Sequence, residues 1–269
     1  MARIAVAATA PFGADVLDRL AARHDVSMLL TRPDSRQGRG RRVAAPPAKL
    51  VAEQRGIQVC QPERPEPGLE LEAPIVIVCA YGLLVPDALL AERLWLNVHP
   101  SLLPRWRGAA PVERAILAGD PETGVTIHET VKELDAGPIA AQHAFTIGDA
   151  DAGEVFTRAA EVAVELLDDV LGAAERDALT LVPQGAVGVT YAEKLGPDDR
   201  VLDLEAPAAE CVRRVRALAP HVGARAVLQG RPVVVWRAEV AADGSFAPLE
   251  VQPEGGRRMA YDAWLRGLR

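Results

Sequence analysis

The chain has 269 residues, of which 49% are hydrophobic and 25% are charged, a composition typical of a globular protein with one large and one smaller domain. The net charge of -7 argues against nucleic-acid binding through overall charge. No apolar run approaches the roughly 20 residues that a membrane-spanning helix needs, and the first residues lack the apolar stretch of a signal peptide. The three cysteines have no metal-ligand spacing. We therefore expect a cytoplasmic protein with reduced thiols, no bound metal and no membrane partner.

The first two thirds of the chain alternate short apolar runs with segments of helical periodicity. The apolar runs predict strands at residues 3–8, 26–31, 57–60, 75–79, 94–98 and 125–129. The helical periodicity predicts helices at residues 15–23, 47–55, 112–118 and 153–174. This alternation predicts an α/β domain over residues 1–182, with a mostly parallel sheet covered on both faces. Ligands of such sheets bind beyond the carboxyl ends of the strands, and His99 follows one such end.

The last third of the chain has a different pattern. Residues 183–200 are rich in Gly, Pro and charge, which indicates a linker. Residues 204–218 have helical periodicity, and Gly230-Arg231 lies between two β-prone runs, which is a hairpin signal. A strand, a turn and a short helix are predicted for the tail. Residues 201–269 should therefore form a small mixed domain, an incomplete barrel.

Three polar side chains point to one chemistry. Asn97 and His99 are two residues apart, so in an extended chain they share a face, and Asp135 lies in an Asp-Ala-Gly-Pro turn. An amide can stabilise an oxyanion, an imidazole can take a proton near neutral pH, and a carboxylate can stabilise the charged imidazole. Together they suit acyl transfer to an amine without a metal or a covalent intermediate. Each also has an ordinary structural interpretation, and we expect His128 to be structural or to support one of the site residues.

An arginine-rich segment lies near the amino terminus. Residues 31–42 contain five arginines with glycines between them, although their domain is acidic. Such a segment is either a solvated loop or a phosphate-contacting one, because arginine binds phosphate through two parallel hydrogen bonds. The candidate phosphate contacts are Arg36, Arg39, Arg41 and Arg42, together with Arg213 and Arg214 on a predicted helix.

The sequence Asn-Val-His-Pro-Ser-Leu-Leu-Pro-Arg-Trp-Arg-Gly-Ala-Ala-Pro, at residues 97–111, resembles the formyltransferases that use 10-formyltetrahydrofolate. The resemblance covers nearly the whole chain. It implies a Rossmann-like, mostly parallel domain followed by a small β-barrel-like domain. The second domain is reduced here, because the segment at residues 240–250 is shorter than the corresponding barrel strands of the family. It implies catalytic roles for Asn97, His99 and Asp135, with Asp135 raising the pKa of His99. The folate co-substrate would lie along Tyr81, Gly82, Leu83, Leu84, Ser101, Leu102, Leu103, Pro104, Leu134 and Gly137.

The arginine-rich segment resembles the tRNA-contacting insertion of one branch of this family. The resemblance therefore implies formyl transfer to the α-amino group of methionine on initiator tRNA, by a monomer. Three alternatives remain open. The acceptor could be a small amine such as a nucleotide-linked aminosugar, water could replace the amine in a hydrolase, or the chain could be a non-catalytic binding protein.

Overall fold

The computed structural model describes residues 1–37 and 42–268. The chain forms two compact units that interleave along the sequence. The first unit contains Met1–Arg107, Gly124–Ala144 and Thr157–Thr190, and the second contains Gly108–Thr123, Phe145–Phe156 and Tyr191–Arg269.

Up to residue 175, the described residues form runs of one to three strands, each followed by a helix. The strands are β1 (Arg3–Ala8), β2 (Asp25–Leu30), β3 (Ser35–Gln37), β4 (Arg42–Ala44), β5 (Gln58–Cys60), β6 (Ile75–Cys79), β7 (Leu94–His99), β8 (Arg107–Gly108), β9 (Glu122–Glu129), β10 (Ile139–Thr146), β11 (Tyr191–Ala192), β12 (Ala224–Leu228), β13 (Arg231–Val240), β14 (Phe246–Pro253) and β15 (Met259–Ala260). The α-helices are α1 (Pro11–Ala21), α2 (Pro47–Arg55), α3 (Asp87–Leu90), α4 (Pro111–Ala118), α5 (Ala152–Glu175), α6 (Ala208–Leu218) and α7 (Tyr261–Arg266). Among the residues described, no helix is both long enough and apolar enough to cross a membrane.

A seven-stranded sheet in the order β10-β9-β7-β6-β1-β2-β5 forms the centre of the first unit. The five strands from β7 to β5 run parallel, and β9 is antiparallel to β7. Five of the six residues of β1 are buried, as expected for a strand in the middle of a sheet covered on both faces. The predicted α/β fold with a mostly parallel sheet is therefore confirmed.

Two elements of the first unit differ from the sequence prediction. Helix α1 begins at Pro11 rather than at residue 15, because proline fits the first turn of a helix, where its missing N–H leaves no hydrogen bond unmade. Gly13 is then close to the sheet, and a Cβ there would collide with the carbonyl oxygen of Cys79. Strand β10 was not predicted, because its sequence, Ile-Ala-Ala-Gln-His-Ala-Phe-Thr, does not alternate apolar and polar residues.

The second unit contains an antiparallel sheet in the order β12-β13-β14-β15. Leu228 pairs with Arg231 across the β12–β13 turn, which confirms the predicted hairpin. Helix α6 packs on β13 and begins at Ala208, after Pro207, rather than at residue 204. Its buried side chains join those of the sheet and Trp264 in a separate hydrophobic core. The C-terminal region thus contains a separate antiparallel sheet, as the predicted fold class requires.

Candidate active site

The register between β7 and β9 brings four polar side chains together. Asn97 pairs with His128, and His99 pairs with Thr126. Because alternate residues of a strand point to the same face, Asn97 and His99 share one face of β7, and their partners share the same face of β9. His99, Thr126 and His128 are all buried. The sheet therefore holds a polar patch in rigid secondary structure.

The Asn97 carboxamide is oriented by two acceptors. Its Nδ2 donates to Nε2 of His128 at 3.1 Å and to Oδ1 of Asp135 at 3.2 Å. Nδ1 of His128 donates to the carbonyl of Glu129 at 2.8 Å, so in the neutral ring Nε2 carries the lone pair that Asn97 needs. His128, expected to be structural or to support a site residue, thus contacts Asn97 directly.

His99 is held in one tautomer by the backbone. Its Nε2 donates to the carbonyl of Trp106 at 2.8 Å, so in the neutral ring Nδ1 carries the lone pair. Nδ1 faces Oδ2 of Asp135 at 3.6 Å, which is longer than a hydrogen bond. Burial lowers the pKa of His99, and the nearby Asp135 carboxylate raises it by less. Asp135 therefore raises the pKa as expected, but desolvation of the ring outweighs its contribution.

The loop after β9 carries Asp135 in an unusual conformation. Asp135 has a φ of 47°, in the left-handed region that residues other than glycine seldom adopt. At Pro138, directly after Gly137, the loop returns to β9. There the N–H of Glu129 donates to the carbonyl of Pro138 at 2.9 Å. A Cβ at Gly137 would overlap the carbonyl oxygen of Glu129, so only glycine fits there. The close approach of Gly137 fixes the path of the loop that presents Asp135.

Residues 101–104 are tied to β9 through Thr126. The Thr126 hydroxyl donates to the carbonyl of Ser101 at 2.7 Å and accepts from the N–H of Leu103 at 3.2 Å. The amide of Gln142 also donates to this hydroxyl, at 2.7 Å. Ser101 and Leu103 are buried, whereas Leu102 and Pro104 are partly exposed. The segment after His99 is therefore fixed by side chains from β9 and β10.

The residues expected to line a folate site have different surroundings. Leu84 and Leu134 are 82% and 63% exposed, which leaves two large apolar side chains available to a flat ligand. Gly82 has a φ of 76°, and Leu83 is half-buried. Tyr81 is only 2% exposed and its ring belongs to the core, where its hydroxyl has no hydrogen-bond partner among the residues described. The exposed leucines fit the apolar ring of a folate better than Tyr81 does.

A cavity of about 590 Å³ opens beside the first loop of the sheet domain. Its walls include Thr9, Arg32, Asp34, Pro46 and Leu83. Asp34 accepts hydrogen bonds from Lys49 and Gln61, and these bonds hold the start of the arginine-rich segment. The volume is in the range of small-molecule sites.

The structure places the candidate phosphate-binding arginines in two settings. Arg36 is exposed on β3, whereas Arg39, Arg41 and the side chain of Arg42 lie outside the described residues. Arg213 is partly buried beside Gly119. Arg214 donates to the carbonyl of Val201 at 2.9 Å. Arg213 and Arg214 are thus partly engaged within their own unit.

Sequence reasoning missed Thr126 and Gln184 as residues around the site, and it gave His128 a structural or supporting role. The alternation Thr126, His128 on a strand was a usable signal, because it places two polar side chains on one face of an otherwise apolar run. Gln184 gave no such signal, since it lies in a segment rich in turn residues. Among the described residues, no group of three or more His, Cys, Asp or Glu side chains is arranged to hold a metal ion.

Comparison with known families identifies the class of protein. The model for formyl transferase matches residues 2–171, and the model for the formyl transferase C-terminal domain matches residues 194–247. The chain belongs to the formyl transferase family.

Relatives within the family include proteins named methionyl-tRNA formyltransferase. The relative from Aromatoleum aromaticum is 38% identical, over 99% of this chain and 94% of its own length. The relative from Paracoccus denitrificans is also 38% identical, over 99% of this chain and 97% of its own length. The similarity therefore extends through both units.

Solved structures with the same fold include more distant enzymes. The N-formyltransferase from Helicobacter canadensis, in complex with folinic acid and dTDP-3-aminofucose, has a TM-score of 0.69 at 16% identity over 90% of this chain and 88% of its own. HypX from Aquifex aeolicus, in complex with tetrahydrofolic acid, has a TM-score of 0.68 at 18% identity over 98% of this chain. The chain spans about half of HypX, 47% of its length. At these identities the likeness shows the fold alone.

Proposed function

We propose that this chain transfers the formyl group of 10-formyltetrahydrofolate to the α-amino group of methionine esterified to initiator tRNA. The observation that carries the acceptor is the near full-length similarity to proteins named methionyl-tRNA formyltransferase, at 36–38% identity. Residues 1–182 would form the catalytic domain, residues 183–200 a linker and residues 201–269 the reduced C-terminal domain.

The side chains around His99 suit proton removal from an amine. His99 begins neutral, because burial lowers its pKa, and its Nδ1 lone pair faces the Asp135 carboxylate. The proton of the attacking amine passes to Nδ1, directly or through a water, and Asp135 then stabilises the imidazolium at short range. When the bond between the formyl carbon and N10 breaks, the imidazolium returns this proton to N10 of the leaving tetrahydrofolate, and His99 is neutral again. The carbonyl of Trp106 keeps Nε2 protonated throughout.

Asn97 is placed to stabilise negative charge on the formyl oxygen. Both of its amide N–H groups are engaged in the free protein, and the one that donates to Asp135 makes the longer bond, at 3.2 Å. When Asp135 pairs with protonated His99, this N–H becomes available to the developing oxyanion. His128 holds the other N–H and keeps the carboxamide from rotating. Proton transfer and oxyanion stabilisation are thereby coupled through one carboxylate.

The co-substrate fits the exposed apolar side chains beside this cluster. Leu84 and Leu134 offer contact area to a pterin ring, Gly82 allows close approach, and the loop from Leu134 to Gly137 would border it. When bound, 10-formyltetrahydrofolate supplies the formyl carbon. The protein's contribution is to exclude water and to align that carbon with the amine.

The tRNA would be bound through phosphate contacts at the arginine-rich segment, by Arg36, Arg39, Arg41 and Arg42, with Arg213 and Arg214 as further contacts. The cavity beside Thr9 and Arg32 would take the end of the acceptor that carries methionine.

The test is transfer of radiolabelled formyl from 10-formyltetrahydrofolate to methionyl initiator tRNA. Free methionine and a nucleotide-linked aminosugar are assayed in parallel. We expect label in the charged tRNA only. Label in the aminosugar would show that a small amine is the acceptor instead. Formate released without an acceptor would indicate a hydrolase.

A further inference from the structure

Gln184 lies in the segment that the sequence indicates to be a linker, yet the segment before it is fixed to the catalytic sheet. Val182 and Ile139, the first residue of β10, exchange two backbone hydrogen bonds, of 2.8 and 2.7 Å. This pairing places Gln184 beside the loop that carries Asp135. The position of its half-buried side chain is therefore set by the sheet.

The Gln184 carboxamide uses both of its N–H groups on that loop. Nε2 donates to the carbonyl of Asp135 at 2.9 Å and to the carbonyl of Gly137 at 2.8 Å. These two carbonyls lie on either side of Ala136. One side chain thus holds the stretch of backbone that directly follows the Cα atom from which the catalytic carboxylate extends.

Arg107 determines which end of the carboxamide faces the loop. Its Nη2 donates to Oε1 of Gln184 at 2.6 Å. A guanidinium has donors only, so Oε1 must face Arg107 and Nε2 must face the loop. Arg107 is itself held by the carbonyl of Thr190, to which its backbone N–H donates at 2.9 Å.

The Asp135 backbone needs such support. A φ of 47° is uncommon for aspartate and persists where the surroundings hold it. The carboxylate accepts from Nδ2 of Asn97 at 3.2 Å and faces Nδ1 of His99 at 3.6 Å. A rotation of this backbone would move the carboxylate away from both.

We propose that Gln184, oriented by Arg107, is a positioning residue that holds the Asp135 loop in its reactive conformation. The inference rests on the proposed function, in which Asp135 stabilises protonated His99. It adds to that function a residue on a different segment that controls the geometry of the carboxylate.

The variant that tests this is Gln184→Glu. It keeps the shape of the side chain and the bond to Arg107, but it removes both donors and places a carboxylate oxygen against two carbonyl oxygens. We expect kcat to fall on the order of 10- to 100-fold, as for a misplaced reacting group. The KM values for both substrates should stay within about twofold. The acid limb of the kcat profile should move to lower pH, because Asp135 raises the pKa of His99 and is displaced.

The matched control is Gln252→Glu in the second unit. Gln252 donates from Nε2 to the carbonyl of Gly256 at 3.0 Å, and its Oε1 accepts from Nε1 of Trp236 at 3.1 Å. The same exchange there should leave kcat and the acid limb unchanged. Thermal unfolding of both variants separates a loss of activity from a loss of fold.

Unchanged kcat in a folded Gln184→Glu variant would overturn the inference. A raised KM for 10-formyltetrahydrofolate alone, with the acid limb of the kcat profile unchanged, would also overturn it. The loop would then contribute to binding of this co-substrate and not to the position of Asp135. If Gln184→Glu does not fold, Arg107→Lys and Arg107→Met decide. Lysine can still donate to Oε1 and should keep most of the rate, whereas methionine should lose it; equal rates would reject the proposal.

Failure of the proposed function gives a different result. A wild-type protein that does not formylate methionyl-tRNA overturns that function. The Gln184 variants are then compared for release of formate from 10-formyltetrahydrofolate, in which water replaces the amine. A wild type that formylates the tRNA alongside an equally active Gln184→Glu variant overturns the positioning role only.

Discussion

The polar cluster on β7 and β9 differs from the arginine-rich segment, of which Arg36 is the described example, in how the side chains are held. In the cluster, strand register and backbone carbonyls hold each side chain, as the bond from His99 to Trp106 and that from His128 to Glu129 illustrate. On the surface, Arg36 projects from a short hairpin strand and is exposed. A side chain held by hydrogen bonds acts on the groups that it contacts directly, whereas an exposed charge acts on other charges over about a Debye length. Changes in the cluster should therefore alter kcat, and changes on the surface should alter KM and its salt dependence.

The largest effect is expected from His99→Ala and Asn97→Ala. Removing one oxyanion donor typically reduces the rate by about 10²–10³-fold, and loss of the base should cost at least as much. Single-turnover formylation of methionyl-tRNA measures it. His24→Ala is the control, because His24 is also a buried histidine beside a carboxylate, 2.8 Å from Asp168, but lies outside the site. Near-normal rates in both site variants would contradict the assignment.

A smaller loss is expected from Gly137→Ala. The added Cβ would meet the carbonyl of Glu129, so the loop that carries Asp135 must shift. We expect kcat to fall roughly 10- to 100-fold. Gly185→Ala is the matched control, since a Cβ at that position has no atom within 4 Å. Equal kinetics of the two variants would show that the loop tolerates displacement.

Substitutions in the arginine-rich segment should change tRNA binding rather than the rate of the reaction. Neutralising Arg39, Arg41 and Arg42 together should raise the KM for tRNA about 10-fold at low salt, with little change in kcat. The slope of log KM against log salt should fall by roughly one for each phosphate that the variant no longer neutralises. The same measurement on Arg213 and Arg214 tests whether they also bind phosphate. An unchanged slope would mean that the segment is only solvated.

The pH dependence of the wild type gives a smaller but diagnostic effect. Burial lowers the pKa of His99 below its ordinary value of 6.5. His99 acts as a base in its neutral form, so the rate falls as the pH drops through that pKa. More than about half of the plateau kcat/KM, which reports the free enzyme, should therefore remain at pH 6.5. A limb above pH 6.5 would mean that Asp135 outweighs desolvation.

The contrast between the two regions also explains what the sequence could predict. The strands around Asn97 and His99 are short apolar runs ended by breakers, so their existence followed from local pattern. The meeting of Asp135 with His99 depends on the path of a loop fixed by Gly137. The bond between Arg107 and Gln184 joins residues 77 positions apart. No local pattern encodes such contacts, because they arise only when the sheet has formed.

The smallest effect should come from a polar contact outside both regions. In the second unit, Arg114 donates two hydrogen bonds to Asp199, at 2.8 and 3.0 Å, and both side chains are about three-quarters buried. Arg114→Ala should lower the free energy of unfolding by about 1–2 kcal/mol, as for a charge-assisted bidentate pair that water still reaches. Formylation kinetics should be unchanged.

The pH dependence of the free energy of unfolding shows whether this contact stabilises the fold through charge. The hydrogen bonds from Arg114 hold the pKa of Asp199 below its ordinary value, so the carboxylate stabilises the folded state at neutral pH. That stabilisation is complete above the pKa of Asp199 in the unfolded chain and is lost as the pH falls below about 4. Chemical denaturation at pH 7 and at pH 3 should therefore show a smaller difference between wild type and Arg114→Ala at the lower pH. An equal difference at both values would mean that the arginine acts through packing of its aliphatic stem rather than through charge.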